Sequence, residues 1–157
     1  RLVPVRGDAA RRLGRAVKPG PRGAFRDSWP AHVWILAAMY FAASLAHFTH
    51  NAEFIALYPG MPAGLSGGDV YLAWLAVTGV GAIAAGLAFA GRRLAALLAL
   101  AAYGALGLDG LLHYTLALCS EHTLLMNLTI WAEALTGVAL GCAAAASASN
   151  PPTFEAA

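Results

Sequence analysis

The chain has 157 residues, of which 59% are hydrophobic and only 11% charged. That mix excludes an ordinary soluble domain and points to an integral membrane protein. The net charge of +2 hides a strong asymmetry, because eight of the ten Lys and Arg residues precede Ser28 and the other two are Arg92 and Arg93.

Residues 1–28 read as a flexible basic arm of Arg, Gly, Pro and Ala without apolar periodicity. The arm lacks interleaved aromatics, so it is taken as a topology signal that touches anionic lipid and not as a nucleic-acid-binding segment. The chain opens at Arg1 without Met, and its first thirty residues are too polar, and the next span too long, for an ordinary cleaved signal peptide. Ser28-Trp29-Pro30 predicts a helix start, with a capping hydroxyl and Pro in the first turn.

Span one is expected from about His32 to Leu57, ending at Tyr58-Pro59-Gly60. Asp69 is the expected cap of span two, Val70 to Ala90, whose Gly79, Gly81, Ala82, Ala85 and Gly86 suit close helix packing. Gly91-Arg92-Arg93 makes the next turn, and span three runs from Leu94 to Leu118. A tight turn at Cys119-Ser120-Glu121-His122 leads to span four, Thr123 to about Ala146, with a short tail from residue 149 to 157. Each span is long enough to cross about 30 Å of hydrocarbon. The expected architecture is therefore an all-α four-transmembrane-helix bundle over residues 29–148, with both termini cytoplasmic by the positive-inside rule. An Ala/Gly/Arg bias fits a GC-rich genome, and the expected location is the bacterial cytoplasmic (inner) membrane.

Chemistry concentrates on one side of that bundle. Ala46–Phe54 sets His47, His50, Asn51 and Glu53 in an apolar helix, with His47, His50 and Asn51 on one face. Asp109 and His113, four residues apart, share a face of span three; His122 sits at the mouth of span four, and Asn127 and Glu133 follow within it. These positions fall in the extracytoplasmic half, except Glu133 near the middle of span four, and polar side chains at such depths normally face a protein interior and find partners. No Lys or Arg lies there to neutralise the acids, so buried carboxyls must be protonated, paired with histidinium, or neutralised by a bound cation. Imidazole and carboxylate without thiolate suit copper, iron or zinc. The expected metal ligands are His47, His50, Asp109, His113 and His122, with Glu53, Asn51 and Glu133 supporting the ligands or carrying protons, and Glu53 and Glu133 as the catalytic candidates. Asn127 and Glu133 lie about 120° apart on their helix and cannot both face one centre. Glu133 has Thr129 and Thr136 as local alternatives, and Tyr114 and Trp131 read as packing residues. Cys119 and Cys142 fall at opposite ends of adjacent segments, which argues against a disulfide.

Asp109-x-x-x-His113 followed by His122 resembles the Asp/His/His copper set in the membrane C subunit of particulate methane and ammonia monooxygenases. That resemblance spans roughly fourteen residues and implies copper held by those three near the outer face. The interval to the second His is shorter here, and that subunit has more helices. Four helices with buried His and acids are also similar in outline to the sterol-isomerase and sigma-2-receptor fold, without a residue-by-residue motif. The residues leave several functions open: a metal-binding oxidoreductase or an accessory subunit of one; a haem b cytochrome using His47 or His50 with His113, given room by Ala43, Gly107 and Gly110; a metal-free lipid-modifying enzyme or proton-coupled carrier using a His/acid pair; or a structural subunit. Expected partners are the lipid bilayer, other membrane subunits or further copies of the chain.

Overall fold

A computed structural model describes residues 29–149. The basic arm and the last eight residues, together with Ser28 as a cap, lie outside the described residues. Four crossings follow one another: α1 (Ala31–Glu53), α2 (Gly67–Phe89), a third that begins as α3 (Arg93–Leu106), and α5 (Leu124–Ser149). Taken through to Leu116, the third crossing has 24 residues; the others have 23, 23 and 26, and all four are long and apolar enough to span a membrane. At 1.5 Å per residue the shortest is about 35 Å long. The helices pack in a ring, α1 on α2, α2 on α3, α3 on α5, and α5 back on α1.

Large apolar side chains turn outward on every crossing, among them Ile35, Leu72, Leu98 and Leu135. The interior holds Ser44, His47, Asn51, His113, His122 and Glu133, all buried. A bundle that exposes its leucines and buries its acids and imidazoles is arranged for an apolar solvent. Its core is nonetheless mixed: Val33, Tyr40, Leu97, Leu100 and Leu140 fill the end nearer Trp29, and the polar residues occupy the other end.

Small residues set the closest approach. A Cβ at Gly104 would stand 2.5 Å from the Gly137 carbonyl oxygen, and one at Gly137 would stand 2.5 Å from the Gly104 carbonyl oxygen. Only hydrogen atoms fit between α3 and α5 at that level. The end opposite the polar cluster is tied by Arg93, whose Nη2 donates to the Ser147 carbonyl at 2.7 Å.

Three elements differ from the sequence expectation, the first being span one, whose α-helix ends at Glu53 and not Leu57, with a separate 3₁₀ turn over Ile55–Leu57. The cap of α2 is Ser66, not Asp69: Ser66 Oγ accepts from the Asp69 amide at 3.3 Å, and Asp69 Oδ2 accepts from the Ser66 amide at 2.9 Å. Asp69 is the reciprocal third-position partner of a capping box, so the helix starts three residues early. The third crossing also does not run as one α-helix to Leu118. It loosens after Leu106 into a 3₁₀ turn (Asp109–Leu112) and one helical turn, α4 (His113–Leu116). Gly107 and Gly110 fall in this stretch, and glycine weakens a helix. A further 3₁₀ turn (Cys119–Glu121) then leads to α5.

Candidate functional site

The site grows from one stripe of α1. Tyr40, Ser44, His47 and Asn51, at spacings of four, three and four, are all buried. That spacing keeps one face of a helix turned to the same neighbours. His47 is 2% exposed and Glu133, reaching in from α5, is fully buried. His47 Nε2 stands 3.6 Å from Glu133 Oε2.

The protons on this pair follow from its neighbours. Thr129 Oγ1 donates its only hydrogen to the Met126 carbonyl at 3.0 Å. Toward His47 Nδ1, 3.4 Å away, Thr129 therefore accepts. The Nδ1 of a neutral His47 carries the hydrogen, and the Nε2 lone pair faces Glu133. The gap is too long for a formed hydrogen bond. Neither Glu133 oxygen has a hydrogen-bond partner; the Ser44 hydroxyl is close, but its geometry leaves its own oxygen unpartnered as well. One proton thus has two resting places, as carboxylic acid beside imidazole or as carboxylate beside imidazolium. Gly110 closes over the pair, since a Cβ there would lie 3.3 Å from Glu133 Oε2 and 3.5 Å from His47 Nε2.

From His47 the imidazoles continue in file. The ring of His113, on α4, lies 5.5 Å from that of His47, and His122 lies 6.1 Å from His113, between ring centroids. Asn51 Nδ2 donates to His113 Nε2 at 3.0 Å. His122 Nδ1 donates to the Leu118 carbonyl at 3.0 Å, which leaves His122 Nε2 buried with a free lone pair. Tyr58, which the sequence reading passed over, packs its ring 5.0 Å from His113 and 6.4 Å from His122. Burial pushes its phenol up to about 12, so it stays neutral, and its hydroxyl shares a hydrogen bond with His50 Nδ1 at 2.8 Å.

The expected site residues therefore part company. His47, His113, His122 and Glu133 form the buried string, and Asp109 stands at its side with Oδ1 buried and unpartnered. His50 is half-buried and engaged by Tyr58. Glu53 is exposed and accepts from the Tyr71 hydroxyl at 2.8 Å. His50 and Glu53 line a wide groove of about 460 Å³ formed along α1 and Phe54, which none of His47, His113, His122 or Glu133 lines. Asn127 is structural: it accepts from Tyr114 at 2.7 Å and its amide donates to the Cys119 and His122 carbonyls, pinning the last connection. The two threonines weighed as partners of Glu133 turn instead to backbone carbonyls, Thr129 to that of Met126 and Thr136 to that of Ala132. Both cysteines are free and exposed.

Among the described residues no three His, Cys, Asp or Glu side chains are grouped to hold one metal ion. The imidazoles meet pairwise, His47 with His113 and His113 with His122. The room that a haem would need beside Gly107 and Gly110 is filled by Tyr40, Glu133 and Ile130. Fold and site together define an all-helical chain with four helices fit to cross a membrane and a buried histidine–carboxyl string. Comparison with protein-family models, curated proteins and solved structures finds no match to it.

Proposed function

We propose that this chain is a multi-pass membrane protein that moves protons at a buried histidine–carboxyl centre. Glu133 and His47 are the acid/base pair, and His113 and His122 extend it toward the end of the bundle that carries Tyr58. The basic residues before Ser28 and at Arg92–Arg93 orient the opposite end to the cytoplasm. The centre then opens extracytoplasmically, in a bacterial cytoplasmic membrane. Such a pair can serve general acid–base chemistry on a lipid or a proton-coupled carrier. A single observation carries the reading: His47 Nε2 faces Glu133 Oε2 across 3.6 Å with no other partner for the carboxyl.

Infrared difference spectroscopy of the full chain in lipid nanodiscs tests this. A carboxylic-acid C=O band that titrates in the wild type, vanishes in Glu133→Gln and shifts in His47→Ala is expected. A Glu133 band insensitive to both pH and His47→Ala sinks the proposal.

A metal-centred reading has one observation in its favour. His122 keeps Nε2 free and His47 turns Nε2 to Glu133, while Nδ1 is held by the Leu118 carbonyl and by Thr129 respectively, as ligating imidazoles are usually oriented. Nitrogen and oxygen donors of this kind suit zinc, copper or iron, and a bound ion would have to draw them together, since no three are grouped among the described residues. Elemental analysis and an optical spectrum of detergent-purified protein decide it. Stoichiometric transition metal without a Soret band establishes a non-haem centre, a Soret band establishes haem b, and metal in only trace amount removes both.

A further inference from the structure

The string is met from outside by a cleft between α1, α2 and the loosened part of the third crossing. The cleft measures about 270 Å³ and is walled by Phe48, Met61, Leu65, Val70, Leu112 and Leu116. That is just below the roughly 300–1,000 Å³ typical of sites for drug-sized ligands. Its polar wall is Asn51, Asp109 and His113, with exposed Asp69 at the rim.

Three buried atoms of those wall residues lack partners, Asn51 Oδ1, His113 Nδ1 and Asp109 Oδ1, and a head group in the cleft reaches them by a small opening of the wall. Asn51 and His113 are each 7% exposed, so bulk solvent does not serve them. With the Asn51 amide donating to His113 Nε2, His113 Nδ1 is an N–H in want of an acceptor, and the two oxygens want donors. Turning the amide over exchanges the first two roles: Nδ2 becomes the stranded donor and His113 Nδ1 a stranded acceptor. Either way the wall asks for a head group that both donates and accepts. An ammonium only donates. A carboxylate or phosphate only accepts, and it would meet Asp69 and Asp109. Adjacent hydroxyl groups do both at once.

We propose that this cleft binds a single-chain amphiphile with an uncharged, hydroxylated head of the monoacylglycerol type. Its hydroxyls bond Asn51, His113 and Asp109, and its chain lies over the apolar walls and leaves past Leu112, which is 62% exposed. The site shares Asn51 and His113 with the proton-handling centre. Taken with that reading, the proposal names the centre's substrate class, but binding itself needs no proton transfer.

Native mass spectrometry of the full chain, released from micelles after incubation with 1-monodecanoylglycerol, decylammonium or decanoate at equal mole fraction, tests it. One saturable adduct is expected with the monoacylglycerol, at about tenfold higher affinity than with either charged amphiphile, as one or two satisfied buried hydrogen bonds imply. Ala73→Trp, on an exposed position of the cleft wall, should lower that affinity about tenfold with thermal stability retained. His113→Ala should erase the head-group preference. Equal or tighter binding of decylammonium or decanoate overturns the proposal, as does an unchanged isotherm in Ala73→Trp. The infrared and binding results are independent: a silent carboxyl with an intact adduct rejects proton transfer alone, and a titrating carboxyl without selective binding rejects the ligand alone.

Discussion

Replacing Glu133 by methionine should make the protein more stable. Glu133 is fully buried, and both its carboxyl oxygens lack a hydrogen-bond partner. Burying an unsatisfied polar group costs about 1–3 kcal/mol. Methionine keeps the length and flexibility of the side chain while removing both oxygens, so little packing is lost. It would also remove the only acid facing His47 Nε2, which a free lone pair on a neutral imidazole tolerates. The expected gain is about 1–3 kcal/mol, or roughly 2–12 °C in Tm for a chain of this size. Thermal unfolding in micelles, followed by circular dichroism, measures it, with Glu133→Gln as a polar control expected to gain less. Such a gain, with the carboxyl band lost, would mark Glu133 as a group kept for chemistry at a cost in stability. A loss of more than about 1 kcal/mol in Glu133→Met would refute the reasoning, because it would show the carboxyl held by a bond or an ion.

The close approach of α3 and α5 gives a second expectation. Gly137→Ala should destabilise by about 1–3 kcal/mol, since the atom its Cβ would meet at 2.5 Å is a backbone oxygen that cannot swing aside. Gly79→Ala, which meets nothing within 4 Å, should be neutral or slightly stabilising in the same thermal assay. A third concerns alkaline pH. The Tyr58 phenol is raised from 10.0 to about 12 by burial, so its contribution is full below pH 10 and is lost as pH rises to about 12, because the unfolded chain ionises first. Tyr58→Phe should flatten that part of the stability profile, and a wild-type phenolate absorbance that titrates fully near pH 10 would contradict it.

The four crossings were legible because composition alone decides them: long apolar runs bounded by Pro, Gly and paired arginines. The break after Leu106 was not, since Leu-Gly-Leu-Asp-Gly-Leu-Leu is as apolar as the helix before it. What interrupts the helix is the close contact of Gly104 and Gly107 with Gly137 and Tyr40, a tertiary fact. The cap of α2 was misplaced because Ser66 and Asp69 are both good capping residues, and only reciprocal bonding shows which one leads. The polar cluster could be read from charge balance, but its membership could not. His47 and His50 lie 60° apart on the helix, close enough to share a face on paper. In three dimensions His47 turns to Glu133 and His50 to Tyr58. The spacing Tyr40, Ser44, His47, Asn51 was the unused signal, because it singles out the inward line of α1 and omits His50 and Glu53.

The discontinuity in the third crossing has a mechanical side. Asp109 and His113 ride on a short segment joined to α3 by 3₁₀-type bonds, Leu108 N–H to the Ala105 carbonyl and Leu111 N–H to the Leu108 carbonyl, and a left-handed turn at Gly60, φ 73°, leaves room there only for a hydrogen against the Leu116 carbonyl. Two of the cluster's polar groups are therefore mounted on a small bracket. Its position is set both by that run of bonds and by what it touches: Asn51, Tyr58 and the Gly60 turn.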